Sequence, residues 1–292
     1  MSSLPPIAAP ILEGLYQHRL LSTAQIRELY APGTRERWTQ RVLAALRDAG
    51  LADAVAARQG LRLWFVTEQG ADAVEGVATR LEQRRKLTRP AQAAGPLRHH
   101  TVAVNDVGIA FVRAARERGD DCGPLSWRHE IAHPLGPPPG RRGSEQLIAD
   151  ALLSYQLNSS QGPSFHYRFI ELDRGTVPAD HLADKLATYA RLYHHTAPLE
   201  GSTEELAPLW TASYAVFPAV LVALAGRPAA ALERRRDVVL GLCRADDALT
   251  GTPEVEIAIC LLEELREQGP FSAIFRTPAE PERPTSWLMH ER

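Results

Sequence analysis

The sequence has few of the features that mark secreted, membrane-spanning or zinc-binding proteins. Its three cysteines, Cys122, Cys243 and Cys260, are odd in number and far apart, so they make no zinc site and indicate reduced thiols. No segment approaches the roughly 18–20 uninterrupted apolar residues of a membrane span. The first residues lack the basic and apolar regions of a secretory signal. We therefore expect a cytoplasmic protein without a membrane partner.

Lysine is nearly absent. Lys86 and Lys185 are the two lysines among 33 basic residues, and the others are arginines. Coding composition alone can produce such a bias, but each retained lysine then invites a question about its role. The charge is also uneven: residues 1–98 carry 14 basic against 9 acidic side chains, a balance of +5, whereas the whole chain has a net charge of -2. A mildly basic N-terminal part is compatible with nucleic-acid contact.

The first 80 residues show the pattern of three helices followed by two strands. Ser22 and Gln25 are spaced as a capping box, and Thr34 is predicted to cap the third helix. Apolar periodicity and turn signals place these elements at 10–21, 22–30, 35–48, 51–57 and 61–67. This order is typical of a winged helix-turn-helix, whose third helix enters the major groove of DNA. The alternative is that the same fold serves protein–protein contacts.

Four arginines of this region are the predicted DNA contacts, because each can neutralise a phosphate. Arg35, Arg37 and Arg41 lie on the third helix, and Arg58 lies between the two strands. The stretch Leu-Arg-Asp-Ala-Gly-Leu, followed by the strands and by Val-Thr-Glu-Gln-Gly, resembles bacterial winged-helix regulators. We therefore predict a DNA-binding domain over residues 1–80.

Residues 99–292 are predicted to form a second domain, which a basic linker at 81–98 joins to the first. Sequence patterns in this domain predict a helix at 99–118, strands at 125–133, 148–155 and 166–172, a helix from 178 and a strand at 215–225. Farther along, they predict a helix at 229–242, a mixed segment ending in a helix at 254–267 and a short strand at 271–275. The predicted fold class is α/β (α+β).

Two acidic residues interrupt strands that are otherwise apolar. Asp150 lies in the second strand of this domain and Glu171 in the third. A carboxylate among buried strands is costly unless it is paired, neutralised or bound to a cation. Since neighbouring strands lie about 5 Å apart, both carboxylates can reach one divalent cation. We predict that they bind Mg2+ or Mn2+, with Glu130 of the first strand as a further candidate ligand.

The element order and the positions of Asp150 and Glu171 resemble the PD-(D/E)xK restriction-endonuclease-like core, in the order α-β-β-β-α-β. The resemblance implies a metal-dependent DNA endonuclease or nickase. The chain departs from the pattern at Asp173, where the superfamily usually has lysine, although some members take the lysine from the following helix, where Lys185 lies. The predicted catalytic residues are therefore Asp150, Glu171, Asp173 and Lys185. The plainer alternatives are a solvated turn residue for Asp173 and an ion pair for Lys185.

The whole arrangement resembles the replication-relaxation family of bacterial plasmids and integrative elements, over roughly residues 10–225. The matching residues are His99, His100, Asn105-Asp106-Val107, Trp127, Glu130, Asp150-Ala151, Glu171-Leu172-Asp173-Arg174-Gly175-Thr176, Lys185 and Tyr189. The resemblance implies a DNA-binding protein of plasmid or mobile-element replication, relaxation or transfer.

The sequence leaves three functions open. The first is a nuclease or nickase that a winged helix delivers to double-stranded DNA. The second is a replication, transfer or transcription factor whose endonuclease-like domain no longer cleaves, and the third is a protein-binding adaptor. The lysine missing at position 173 favours the second, whereas Asp150, Glu171 and Lys185 favour the first. Because winged-helix proteins often bind as dimers, a homodimer and other replication or transfer proteins are candidate partners.

Overall fold

The computed structural model describes most of the chain and divides it into two compact units. The described residues are 4–56, 61–77, 87, 95, 98–136, 145–198 and 206–289. Unit 1 contains the described residues up to Val112 together with Cys122–Arg128. Unit 2 contains Arg113–Asp121 and the described residues from His129 onward. Arg58 and most of the predicted linker lie outside the described residues. The domain boundaries 1–80, 81–98 and 99–292 therefore stay predictions.

Unit 1 contains three helices followed by a strand hairpin, in the predicted order. Its elements are α1 (Ala8–His18), β1 (Leu21–Ser22), α2 (Thr23–Tyr30), α3 (Glu36–Asp48), β2 (Ala52–Ala56), β3 (Arg62–Val66), α4 (Glu68–Val77) and the part of α5 (Arg98–Arg118) up to Val112. Strand β3 lies between β1 and β2 in an antiparallel sheet. The predicted helices and the two predicted strands are thus confirmed, with ends shifted by at most three residues.

Local capping decides where the helices of unit 1 begin. The Ser22 hydroxyl accepts a hydrogen bond from the Gln25 N–H, and the Gln25 side chain accepts one from the Ser22 N–H, which confirms the capping box. The expected cap at Thr34 is wrong. Helix α3 begins after Arg35, and the Thr34 hydroxyl instead donates to the Ala31 carbonyl at 2.8 Å. Thr34 therefore closes the preceding turn.

Two residues that carry the family resemblance have structural roles in unit 1. The Asn105 amide donates to the Leu20 carbonyl at 2.8 Å, and its oxygen accepts from the indole N–H of Trp127 at 3.1 Å. The Trp127 ring also stacks on His18, with 4.0 Å between ring centroids. Since the side chains of His18, Asn105 and Trp127 are buried, these contacts join α1 and α5 in one core.

Unit 2 is built on a five-stranded mixed sheet. Its elements are β4 (Trp127–Gly136), β5 (Glu145–Ser159), β6 (Gly162–Asp173), α6 (Ala179–His194), β7 (Thr196–Pro198), β8 (Leu206–Pro208), β9 (Ala219–Leu224), α7 (Ala229–Ala245), α8 (Asp247–Thr250), β10 (Ile257–Leu261) and α9 (Leu262–Gln268). The strand order is β10-β9-β6-β5-β4; β5 and β6 form an antiparallel hairpin, and β6, β9 and β10 run parallel. The carboxyl ends of β6 and β9 therefore lie side by side.

Helices α6 and α7 cover one face of this sheet. Their apolar side chains share a core with alternate residues of the strands, among them Leu186, Tyr189, Val239, Phe169, Val220, Val222 and Ile259. Every residue of β9 is buried, so its other face is covered as well, which explains its uninterrupted apolar sequence. Among the residues that the structure describes, no helix combines the length and the apolar character needed to cross a membrane.

Three predictions for unit 2 differ from the structure. Strand β9 begins at Ala219 rather than at 215, after Pro218, which lacks the N–H that a strand ladder uses. The predicted strand at 271–275 is wrong, because this segment forms turns and bends and contributes an isolated bridge between Phe275 and Thr285. The short hairpin of β7 and β8 has no counterpart among the predicted strands.

Candidate active site

Asp150 and Glu171 lie next to each other in the hairpin of β5 and β6. Ala151 is the partner of Ile170 in the antiparallel register, so Asp150 and Glu171 are the next residues of the two strands to face each other. A carboxylate oxygen of Asp150 accepts a hydrogen bond from the Leu172 N–H at 2.8 Å. Strand pairing therefore brings two acids of the sheet together.

Glu171 is a buried acid that accepts hydrogen bonds from two side chains. Its side chain is 2% exposed. The Lys185 ammonium donates to Oε2 at 2.5 Å, and the Tyr189 hydroxyl donates to Oε1 at 2.6 Å. Burial raises the pKa of Glu171 to about 8; the Asp150 carboxylate adds to the rise, whereas Lys185 and Tyr189 oppose it. Glu171 can therefore hold a proton near neutral pH.

Lys185 reaches both acids from helix α6. Its Nζ lies 3.8 Å from Oδ1 of Asp150, in addition to its contact with Glu171. Burial lowers the pKa of Lys185, but the two carboxylates outweigh this effect and leave the pKa above its ordinary value. The side chain is 34% exposed. Lys185 therefore supplies a positive charge that solvent and ligands can reach.

Tyr189 completes the cluster, although it was not among the predicted catalytic residues. Lys185 and Tyr189 are four residues apart on α6, which places them on the same helical face. Tyr189 is fully buried, and burial, followed by the Glu171 carboxylate, keeps its pKa well above the ordinary value. It therefore acts as a neutral hydroxyl donor. The four-residue spacing after Lys185 was the signal that could have identified it.

Asp173 belongs to a separate ion pair. Its carboxylate accepts hydrogen bonds from the Arg235 guanidinium of α7, one of them at 3.2 Å, and from the Gly175 N–H at 3.0 Å. Both charged side chains are largely buried, with 6% of Asp173 and 15% of Arg235 exposed. Asp173 shares a face of β6 with Glu171, but the contacts differ. In the sequence, nothing distinguishes Arg235 within a run of three arginines.

The acid pair suits a hard divalent cation. Asp150 and Glu171 offer two carboxylates around a cationic group, and Mg2+ is usually held by one or two carboxylates and water. Glu130 is exposed and has a backbone φ of 51°. In the described ranges, no group of three or more acidic, histidine or cysteine side chains is arranged to hold a metal. Glu130 as a ligand, and the cation itself, stay predictions.

The predicted DNA contacts of unit 1 that the structure describes lie at the beginning of α3. Arg35 immediately precedes this helix, and Arg37 and Arg41 lie one turn apart on it. All three side chains are exposed, whereas Val42 is among the apolar residues that the helix buries. Arg58 lies outside the described residues. The basic and apolar faces of α3 are therefore separate.

The fold and the site define a mixed α/β protein. On its larger sheet, the buried Glu171 and the partly buried Asp150 meet a lysine and a tyrosine of helix α6. The chain belongs to the replication-relaxation family, whose family model matches residues 12–205, more than half of its length. No protein with a curated function matches the sequence. One solved structure, protein VC1899 from Vibrio cholerae, is similar at a TM-score of 0.30 and 14% identity. That match covers 90% of this chain, which spans 50% of the other.

Proposed function

We propose that this protein binds double-stranded plasmid or mobile-element DNA during replication, relaxation or transfer, and that unit 2 nicks the bound DNA with Mg2+ or Mn2+. Membership of the replication-relaxation family supports the role in replication. The observation that carries the nicking activity is the pairing of Asp150 and Glu171 on adjacent strands, within reach of Lys185. A buried acid whose pKa is strongly raised, beside a second acid and a partly exposed lysine, is a candidate for a functional site.

Unit 1 would bind the DNA as a winged helix-turn-helix. The order α1, α2, α3 and then the β2–β3 hairpin, with β1 completing the sheet, is typical of that fold. Helix α3 buries an apolar face and exposes Arg37 and Arg41. These side chains suit the major groove or its flanking phosphates, because each guanidinium can neutralise a phosphate.

Unit 2 would act as a restriction-endonuclease-like domain. The order β4, β5, β6, α6 and β9, preceded by the last residues of α5, with an antiparallel β5–β6 pair and a parallel β6–β9 pair, resembles that core. Asp150 on β5 and Glu171 on β6 occupy the positions of its acidic motif. Lys185 on α6 takes the role of the lysine that position 173 lacks.

Each residue of the site has a role that its surroundings support. Asp150 and Glu171 would hold the divalent cation, which stabilises charge that develops on the phosphodiester and lowers the pKa of an attacking water. Lys185, charged and partly exposed, is suited to hold the phosphate that is cleaved. The Tyr189 hydroxyl and the Leu172 N–H each fix one carboxylate oxygen, so the acids are oriented before DNA binds.

Nicking is tested with the full chain and supercoiled plasmid. With Mg2+ or Mn2+, the wild type should produce nicked or linear DNA, and Asp150→Asn, Glu171→Gln and Lys185→Met should each lower the rate by about a hundredfold or more. Asp184→Asn is the matched control, because Asp184 is exposed and adjacent to Lys185 in the sequence. Cleavage that persists in Glu171→Gln would identify a contaminating nuclease and refute the assignment.

A second candidate function is DNA binding without cleavage, in a replication factor or transcriptional regulator. Two observations favour it. Lys185 already pairs with Glu171, and Asp173, at the position where the similar nucleases carry lysine, is engaged by Arg235. This protein would retain DNA but leave plasmid intact with every cation. A protein-binding adaptor would not retain DNA even at low salt.

DNA binding by unit 1 is tested by gel shift over a range of salt concentrations. The affinity of the wild type should fall steeply as salt rises, since cations released from the phosphates drive binding. Arg37→Ala with Arg41→Ala should reduce the slope of log affinity against log salt by about two. Arg283→Ala, which removes an exposed charge in unit 2, should leave the slope within experimental error. An unchanged slope in the Arg37/Arg41 variant would remove the winged-helix assignment.

A further inference from the structure

Two turns of unit 2 bring arginines together beside the candidate active site. Strands β6 and β9 run parallel, with Asp173 opposite Leu224, so the chain leaves both strands at the same end of the sheet. Arg174 is the first residue after β6, and Arg227 follows β9 by three residues. This end of a parallel sheet is where α/β proteins commonly bind ligands.

The two turns lie in contact with each other. A methyl group at Gly226 would lie 3.6 Å from Nε of Arg174, and one at Gly175 would lie 3.6 Å from Nε of Arg227. Both glycines have a positive φ, 61° at Gly175 and 79° at Gly226, which a larger residue would adopt only with strain. The Arg227 guanidinium also donates to the Gly175 carbonyl at 3.1 Å. The positions of both arginines are therefore defined.

The charge of these two arginines is not neutralised by an acid. Arg235, which also approaches Gly175, is neutralised by Asp173. Arg174 and Arg227 form no ion pair within the part of the chain that the structure describes, and Arg227 is exposed while Arg174 is half-buried. Helix α7 begins two residues after Arg227 and has no acid in its first turn, so its dipole adds to the positive potential. The result is a local excess of positive charge.

Two other exposed arginines of unit 2 are differently placed. Arg266 lies 3.1 Å from Glu263, and Arg283 lies 3.8 Å from Glu280, each pair three residues apart. Those pairs are largely exposed and leave little net charge at either place. Arg174 and Arg227 therefore differ from Arg266 and Arg283, whose charges are balanced by neighbouring acids.

We infer that Arg174 and Arg227 form a phosphate-binding surface for the backbone of duplex DNA. The inference rests on the proposed function, because it supplies the contact that would position DNA at Asp150 and Glu171. Arg174 lies three residues beyond Glu171, about 10 Å along an extended strand, or about three base pairs along a duplex. The phosphate bound there is about three nucleotides from the cleaved one. Arginine suits it, since the planar guanidinium donates two parallel hydrogen bonds to a phosphate.

The test measures binding of the full chain to a fluorescent DNA duplex between about 50 and 300 mM salt, over which the Debye length falls from above about 10 Å to below about 8 Å. Arg174→Ala with Arg227→Ala should weaken binding on the order of tenfold and reduce the slope of log affinity against log salt by about two. Arg266→Ala with Arg283→Ala, which removes the same number of charges, should change the slope by less than half a unit. Arg174→Lys with Arg227→Lys should restore the slope, because it restores the charge.

The outcomes separate this inference from the proposed function. If the wild type binds DNA and the Arg174/Arg227 alanine variant behaves like the Arg266/Arg283 control, the surface does not contact DNA, and DNA binding by unit 1 stands. If the lysine variant loses as much slope as the alanine variant, the effect comes from altered turns, and the inference is overturned. If the wild type does not bind the duplex at all, the proposed function fails and the phosphate surface fails with it.

Discussion

Two acids on the same strand have contrasting surroundings. Glu171 is held by Lys185, whose side chain is 34% exposed, whereas Asp173 is held by Arg235, whose side chain is 15% exposed. Lys185 is a flexible point charge with a second acid nearby, and Arg235 is a planar donor that makes more than one hydrogen bond to its partner. The Glu171 cluster is therefore open to solvent at its lysine, whereas the Asp173 ion pair is closed. Position on a strand does not by itself make an acid catalytic.

The largest expected effect on the free energy of unfolding comes from removing the basic partner of Asp173, and it is compared with removing the basic partner of Glu171. Arg235→Ala leaves Asp173 buried without a counter-charge and should lower the free energy of unfolding by about 3–5 kcal/mol. Lys185→Met should cost less than half as much, because Glu171, with its pKa near 8, holds a proton at the pH of the measurement and is not left as an unpaired charge. Urea denaturation of both variants at pH 6.5 measures the difference.

A paired substitution provides the control. Arg235→Ala combined with Asp173→Asn removes the uncompensated charge and should recover more than half of the lost stability. Equal losses of unfolding free energy in Arg235→Ala and Lys185→Met would show that the two acids depend equally on their basic partners.

The second prediction concerns pH. Because the pKa of Glu171 is raised to about 8, the folded protein keeps a proton that the unfolded chain loses near pH 4.5. The stabilisation by this group is complete below the unfolded pKa and is lost as the pH rises through the folded pKa. Between pH 5 and 8, its contribution should fall by up to about 1.4 kcal/mol per pH unit.

Glu171→Gln isolates this contribution, since glutamine keeps the shape and does not titrate. The stability of the wild type relative to Glu171→Gln, from urea denaturation at intervals of half a pH unit, should decrease from pH 5 to pH 8. A difference that stays constant, or that grows with pH, would contradict the raised pKa.

The smallest expected effect comes from Tyr189→Phe. This change removes the hydroxyl that donates to Glu171 at 2.6 Å and keeps the ring within the core. It should cost about 1–2 kcal/mol of unfolding free energy, because a buried acceptor loses a partner. Tyr193→Phe, on the same helix but half-buried, is the control and should cost less. Equal costs in thermal or urea unfolding would show that the Tyr189 hydroxyl does not support Glu171.

Local sequence signals correctly predicted the helices and strands whose positions depend on a few neighbouring residues. The Ser22 capping box marked the start of α2, and two apolar strands interrupted by Asp150 and Glu171 marked β5 and β6. Those acids stood out because a charge in an apolar strand is costly. The antiparallel register of β5 and β6 in the structure then brings them together.

Contacts between distant residues could not be predicted in the same way. Arg235 meets Asp173 across 62 positions of sequence, and no local pattern shows which arginine of a run turns inward. The adjacency of Arg174 and Arg227 depends on β9 pairing with β6 rather than with another strand, which only the folded sheet determines. Thr34 failed as a cap because Ser, Thr and Asn also close turns, and the sequence offers no choice between the two uses.

Manganese binding, measured by electron paramagnetic resonance with the full chain, tests the central claim most directly. We predict one Mn2+ bound per chain, lost in Glu171→Gln and in Asp150→Asn, and retained in Asp173→Asn, since Asp173 belongs to the closed ion pair. Binding that survives in Glu171→Gln, or that Asp173→Asn weakens to the same extent, would contradict the assignment of the Asp150, Glu171 and Lys185 cluster as the functional site.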